Sequence, residues 1–354
     1  MSRFLSDKYR GLAPYVPGEQ PRESRYIKLN TNESPYPPSP LALQYAREEA
    51  ARLQLYSDPT CGDLAAAAAE VLDLRPEELL FTNGSDEILN FAFAAFCDGT
   101  RPAVFPDITY GFYSVFAAFN RVPWETVPLR EDFSLCPEDY MGLNKVIFIA
   151  NPNAPTGLAL PLREVERIVA GNPEGVVVID EAYVDFGGES ALPLIRRYPN
   201  LLVTRTFSKS RSLAGARLGF GAGDPELIRD LNRIKYATNP YNVNRMTMGA
   251  GIGALKDGAY FEQNLARIRQ TREKTAAALR ELGFTVTDSV ANFLFVKSDR
   301  IGGGDLYRKL KENRVLTRHF DQPRIADWLR ITVGSGEEMT VLTETVRQIL
   351  EGTI

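Results

Sequence analysis

Among 354 residues this chain carries one histidine, three cysteines and two tryptophans. The single histidine, His319, excludes whole classes of chemistry. Zinc sites built on several imidazoles are ruled out. A Ser-His-Asp hydrolase would have to use His319 as its base, and no Gly-x-Ser-x-Gly turn presents a nucleophile. His319 reads instead as a polar rim residue beside Arg318. Cys61, Cys97 and Cys136 are isolated and odd in number, so they suggest neither a disulfide framework nor a metal site, and they fit a reducing cytoplasm. A Walker Gly-Lys-Ser/Thr sequence is missing, and Gly302-Gly303-Gly304 reads as a loop before a helix. No stretch approaches the roughly 18 apolar residues of a membrane helix. The first eight residues lack the apolar core of a secretory signal. With a net charge of −4 there is no basic field, so neither nucleic acid nor membrane is an expected partner.

What is present is ordinary for a globular protein: 44% hydrophobic and 24% charged residues, enough chain for two domains with sizeable cores. Residues 1 to 30 read as an N-terminal arm rich in proline and arginine that packs with a small domain. From 31 to 240, apolar strands alternate with helices. The candidate strands are 79–82, 102–105, 124–127, 145–149, 175–180, 201–205 and 217–222; helices are expected at 41–54, 63–73 and 85–97. This pattern predicts an α/β fold with a mainly parallel seven-stranded sheet and helices on both faces. After Asn239-Pro240 the pattern changes. A helical stretch from 245 to 282, interrupted at Asp257-Gly258, ends at Gly283. Strands at 284–287, 292–297 and 328–333 and a last helix at 337–351 complete a smaller α+β domain over 241–354.

Candidate chemistry collects where strands end. Val176–Ile179 reads as a central strand buried on both faces, with Asp180 at its end. Ligands of open α/β sheets bind beyond the carboxyl ends of the strands. A carboxylate there can pair with a protonated pyridine nitrogen, or it can simply cap the following turn. Tyr183 follows three residues on. Thr206-Phe207-Ser208-Lys209-Ser210-Arg211 follows another apolar run and precedes Arg217. A lysine among hydroxyls suits an aldehyde cofactor held as a Schiff base, with the hydroxyls and a guanidinium on its phosphate. A plain surface loop is the competing reading. Gly84-Ser85-Asp86 leads from a strand into a helix, where free N–H groups and the helix dipole favour an anion; Ser85 is also an ordinary N-cap residue. Tyr110 follows one strand, and Asn151-Pro152-Asn153-Ala154-Pro155-Thr156-Gly157 forms a turn after another.

The order of these motifs resembles the class II, fold-type I pyridoxal-phosphate (PLP) aminotransferases and, more narrowly, the histidinol-phosphate aminotransferases. The resemblance runs from Leu12-Ala13-Pro14-Tyr15 to Leu329-Arg330-Ile331-Thr332-Val333-Gly334. It implies pyridoxal 5'-phosphate as cofactor, with Lys209 as the Schiff-base lysine and proton carrier. Asp180 matches the pyridinium partner, Tyr183 the donor to the ring's phenolic oxygen, and Tyr110 the aromatic on the ring face. Gly84, Ser85, Ser208 and Arg217 match the phosphate cradle, with Asp86 beside it at the same helix start and Thr206 a further cofactor-binding residue. Tyr56 matches a tyrosine that reaches the phosphate in the other subunit, so the resemblance implies a homodimer. Arg330 matches the arginine that grips a substrate carboxylate and Arg318 a second one that contacts substrate phosphate, with Arg314 and Arg324 as neighbouring candidates. Tyr15 and Asn32 match residues of the arm that close over substrate.

One position departs from the family pattern. The asparagine expected immediately before Pro155-Thr156-Gly157 is Ala154, and Asn153 is the nearest candidate to replace it. The implied reaction is ping-pong transamination between a small-molecule amino donor and a keto-acid acceptor, namely histidinol phosphate and 2-oxoglutarate. With one histidine in the chain, a lysine of lowered pKa would serve as the base. An aromatic amino-acid aminotransferase and a threonine-phosphate decarboxylase on the same scaffold remain as alternatives. A non-catalytic PLP-binding regulator fits less well, because no basic helix-turn-helix segment precedes the large domain.

Overall fold

The computed structural model describes residues 2–21 and 26–354. In chain order the longer elements are β1 (Ile27–Lys28), α1 (Pro40–Ala50), α2 (Gly62–Leu72), β2 (Leu79–Thr82), α3 (Ser85–Phe96), β3 (Ala103–Pro106), α4 (Phe112–Asn120), β4 (Trp124–Val127), β5 (Val146–Ala150), α5 (Leu162–Ala170), β6 (Val177–Asp180), β7 (Leu201–Thr206), β8 (Gly219–Gly223) and α6 (Pro225–Thr238). They continue with α7 (Arg245–Lys256), α8 (Gly258–Glu281), β9 (Phe284–Val286), β10 (Phe293–Ser298), α9 (Gly303–Glu312), β11 (Val315–Leu316), β12 (Arg318–His319), β13 (Trp328–Thr332) and α10 (Gly336–Glu351).

Seven strands form one sheet in the order β2-β8-β7-β6-β5-β3-β4. Its β3/β4, β3/β5, β5/β6 and β6/β7 pairs are parallel, and β8 runs against both of its neighbours. The central strands read as continuous apolar runs because both faces are covered. Ile147, Ile149, Val177, Ile179, Leu201 and Val203 turn to one layer with Leu64, Val165 and Ala250, which belong to α2, α5 and α7. The alternate residues Phe148, Val178 and Leu202 turn to the other layer with Ile88, Phe116 and Leu231, from α3, α4 and α6. All parallel strands therefore end on one edge of the sheet. The reversed β8 starts on that same edge, with Gly219 paired to Thr206.

A second sheet, ordered β12-β13-β10-β9, is antiparallel and packs with α8, α9 and α10 around Leu294, Leu310, Leu329 and Leu342. Helix α7 goes with the large sheet: Ala250, Ala254 and Leu255 share its core, so a boundary at 240 cuts this helix from the body it packs in. Helix α1 starts where expected, at Pro40 behind Ser39, whose Oγ accepts from the Ala42 N–H. It stops at Ala50 rather than at residue 54, although residues 51–54 are good helix formers. The following segment is instead held to the large body, with Arg245 Nη1 donating to Tyr56 O (3.1 Å) and Lys235 Nζ to Pro59 O (2.5 Å). The glycine run at 302–304 also differs from the expected loop, because α9 already begins at Gly303.

The arm bridges both bodies. Tyr9 stacks on Phe119 and Tyr15 on Phe112, both residues of α4. Glu19 pairs with Lys311 at 2.7 Å, and β1 lies parallel to β11. The arm thus touches the large body as well as the small one, because its tyrosines find an aromatic helix face there. No helix among the described residues is long and apolar enough to cross a membrane.

Candidate active site

The strand ends meet at a cavity of about 320 Å³. Ser85, Asp86, Tyr110, Asp180, Tyr183, Thr206, Ser208, Lys209 and Arg217 line it, together with Thr31, Glu33, Ala154 and Ala182. Register explains the convergence. Ala150, Asp180 and Thr204 lie side by side on β5, β6 and β7, so the turns that follow open on one place.

Lys209 Nζ donates to the Thr31 carbonyl at 3.0 Å. Burial brings its amine down to about 8, with the nearby Arg330 adding to the effect and Asp86 and Glu33 opposing it. Asp180 is 4% exposed. Burial pushes its carboxyl up to about 6, against hydrogen bonds from Tyr113 OH (3.1 Å) and Thr204 Oγ1 (3.2 Å). Tyr183 OH accepts from Asn32 Nδ2 at 2.9 Å, and its ring packs edge-on against Phe293. Burial first, and Asp86 second, hold the Tyr110 phenol protonated; its OH donates to Asp86 Oδ1 at 2.7 Å.

At the other end of the cavity, α3 begins at Ser85 with Gly84 before it. Gly84 has a φ of +80°, and a Cβ there would lie 2.6 Å from Arg217 Nη2, so only glycine admits the guanidinium at this place. Arg217 pairs with Asp86 at 3.0 Å. Ser208 Oγ is buried with no hydrogen-bond partner among the described residues. An orphaned hydroxyl, a helix N-terminus and an arginine around one small space fit a phosphate. A lysine with a free-amine tendency faces that space from one side and a buried carboxylate from another. The donor set fits a phosphorylated pyridine aldehyde.

None of the candidate substrate arginines lines this cavity; Arg330 comes nearest, its charge acting on both Lys209 and Tyr183. Arg330 Nη2 donates to Asn30 O at 2.8 Å, while its buried Nε has no hydrogen-bond partner among the described residues. Arg318, its cross-strand neighbour, also lies beside it electrostatically; both guanidinium carbons stand 5.7 Å from the Phe320 ring. Arg324 is taken up by Asp107 at 2.6 Å and by two backbone carbonyls. Arg314 lies over the Tyr26 ring.

Two expected cofactor contacts lie elsewhere. Asn153 does not line the cavity. Its Oδ1 accepts from Thr109 Oγ1 at 2.8 Å, and its Nδ2 donates to Ile108 O (3.0 Å) and Thr156 Oγ1 (3.1 Å). The amide is consumed in bracing its own turn, and the Ala154 methyl faces the cavity instead. Tyr56 is 81% exposed on the outer surface, stacked on Tyr241 at 4.7 Å. Tyr113 and Thr204 were not singled out by sequence reasoning. The available signal was spacing: Tyr113 is three residues after Tyr110, and its N–H donates to the Tyr110 carbonyl at 3.1 Å in the turn that enters α4.

A family model for aminotransferase class I and II matches residues 24–346. The chain belongs to this family. Among its aminotransferase relatives, the histidinol-phosphate aminotransferase of Aromatoleum aromaticum is 49% identical over 99% of this chain and 100% of its own length. That of Brachyspira hyodysenteriae is 47% identical with the same coverage. In solved structures, the putative histidinol-phosphate aminotransferase of Erwinia carotovora atroseptica superposes with a TM-score of 0.86 at 25% identity, covering 93% of this chain and 97% of its own. The histidinol-phosphate aminotransferase of Sinorhizobium meliloti, solved with pyridoxal-5'-phosphate, reaches a TM-score of 0.90 at 23% identity over 100% and 99% of the two chains. The fold of this aminotransferase is shared more widely: an L-threonine-O-3-phosphate decarboxylase from Porphyromonas gingivalis reaches 0.80 at 20% identity, over 92% of this chain and 99% of its own.

Proposed function

We propose that this protein is a PLP-dependent transaminase of histidine biosynthesis, moving the amino group of histidinol phosphate to 2-oxoglutarate. The observation that carries the reading is near-half identity, end to end, with histidinol-phosphate aminotransferases. PLP supplies an electron sink for the pair left when the substrate Cα loses its proton.

The chain's own residues then have definite tasks. Lys209 would hold the cofactor's carbonyl carbon and would carry the substrate Cα proton; an amine brought to about 8 suits that base role near neutral pH. Asp180 pairs with the ring N–H. Tyr183, oriented by Asn32, donates to the ring oxygen, and Ala154 makes it the main donor from this side. Tyr110 covers one ring face. Gly84, Ser85, Thr206, Ser208 and Arg217 receive the phosphate, while Asp86 aims Arg217 and Tyr110. Arg330 and Arg318 take the anionic ends of the two substrates in turn, with Tyr15 closing the arm over them.

The assembly is a homodimer in the cytoplasm. Leu53, Leu55, Tyr56, Tyr241 and Met246 leave apolar surface exposed around the Tyr56 loop, as a subunit interface requires. Cys61 and Cys97 are buried free thiols, as a reducing compartment allows.

The test is the visible absorption of the purified protein with PLP, followed by addition of each substrate alone. Glutamate and histidinol phosphate should each bleach the lysine-bound band, and Lys209→Ala should abolish the band and cost roughly 10⁴-fold in kcat. Bleaching by phenylalanine but not by histidinol phosphate would move the substrate to an aromatic amino acid. The absence of any band would overturn the reading.

A further inference from the structure

Asp180 is held by a residue that the reaction itself does not use. Tyr113 sits in the first turn of α4 and is wholly buried. Its ring is fixed by Tyr110 (5.6 Å, edge-on), Phe105 (5.7 Å) and Phe148 (5.8 Å). Its hydroxyl makes one hydrogen bond among the described residues, donating to Asp180 Oδ2 at 3.1 Å. A phenol buried in an aromatic cluster would pack equally well as phenylalanine. The hydroxyl therefore has a polar purpose, and its one target is this carboxylate.

We propose that Tyr113 is a positioning residue for the PLP site: its hydroxyl keeps Asp180 ionised and turned so that the carboxylate can accept the ring N–H. The inference rests on the PLP reading above. Its physical basis is that burial works against a charged Asp180. The other groups facing that carboxylate are Thr204 Oγ1 on β7, at 3.2 Å on Oδ1, the Ala182 N–H, and Asp86 on α3, whose charge opposes ionisation. Tyr113 is thus the sole donor to Oδ2 supplied by the opposite helix layer. Without it, the buried carboxylate loses its hydrogen bond from the phenol on Oδ2, and protonation becomes the cheaper state. A protonated Asp180 cannot hold a protonated pyridine, so cofactor retention would acquire a pH dependence at neutral pH.

The experiment uses the PLP-loaded protein and Tyr113→Phe, which keeps the ring. The PLP dissociation constant is measured by equilibrium dialysis between pH 5 and 9, beside the visible spectrum of the bound cofactor. We expect retention roughly tenfold weaker at neutral pH, with the acid-side inflection moved up by about one unit. The same change introduced on Asp180→Asn should add little, because the carboxylate it acts through is gone. Equal dissociation constants and inflections in wild type and Tyr113→Phe would overturn the proposal, as would a full additive effect on the Asp180→Asn background. A Tyr113→Phe protein that melts early is tested through Thr204→Val, which should weaken retention in the same pH range. No movement there also counts against the proposal. Wild type that retains no PLP would sink the parent reading instead, which keeps the two failures distinguishable.

Discussion

At the scale of single residues, the site stores two unfavourable charges. Asp180 is brought to about 6 from an ordinary carboxyl value of 3.8, so the folded chain binds its proton more tightly than the unfolded chain. Its stabilising contribution is complete below the unfolded value and is lost as pH rises through about 6. Lys209 is brought to about 8 from 10.5, so the unfolded chain binds that proton more tightly. Its burden is complete below about 8 and is relieved as pH climbs towards 10.5. Near neutrality both groups are charged, at a combined cost on the order of 5 kcal/mol. In the proposed reading, cofactor binding would relieve both, by pairing Asp180 and by consuming the lysine charge. Asp180→Asn should therefore raise the melting temperature of PLP-free protein at pH 7 while weakening PLP retention, as thermal melts with and without cofactor will show. A lower melting temperature for PLP-free Asp180→Asn would mean that the carboxylate is not strained. Arg330 is a second residue-scale case: it is buried, with Nε unpaired. Arg330→Ala should lower kcat/KM for glutamate by roughly 10²-fold, since a charge-assisted bidentate contact is worth about 3 kcal/mol. An unchanged value would remove it from the anion site.

At the scale of elements, α7 is the least obvious support of the site. Its sequence, Arg-Met-Thr-Met-Gly-Ala-Gly-Ile-Gly-Ala-Leu-Lys, is poor in helix propensity because each glycine costs about 1 kcal/mol against alanine. The glycines are there for proximity. A Cβ on Gly253 would lie 2.5 Å from the Leu41 carbonyl oxygen and 2.6 Å from Ala42 Cα, and one on Gly249 would lie 2.7 Å from Tyr45 O. Helices α1 and α7 thus touch backbone to backbone. The following segment, with Tyr56, is fixed from α7 through Arg245 and from α6 through Lys235. Gly253→Ala, stabilising in an ordinary helix, should here destabilise by about 1–3 kcal/mol in urea unfolding. A neutral or stabilising result would show that the two helices can part without cost.

For the whole molecule, the strand order, the reversed β8 and the bridging arm bring residues from 31 to 217 around one cavity, while Tyr56 is left outside on exposed apolar surface. In the proposed dimer this loop would reach the phosphate of the neighbouring subunit. Tyr56→Phe should then weaken PLP affinity by about tenfold, the loss of one phosphate hydrogen bond, with the sedimentation coefficient unchanged. Unchanged affinity would argue that each subunit works alone.

The sequence by itself determined the seven strands of the large sheet to within two residues and the motifs at their ends, but it did not mark α4, α5, α6 or the short β1, β11 and β12. The legible features are local: apolar runs of four to six residues and a glycine before a helix. It also held the family membership, because motif order survives substitution elsewhere. Tertiary packing decided the rest. It tied the segment after α1 to α7 through Arg245 and to α6 through Lys235, and it put α7 with the large sheet, where its glycines admit α1 at backbone contact. It turned Asn153 inward because Thr109, Ile108 and Thr156 use its amide. It brought Tyr113 onto Asp180, 67 residues apart, across two layers of the fold. Hydrogen bonds over such separations depend on register and layer packing, and neither is written in any single segment of the chain.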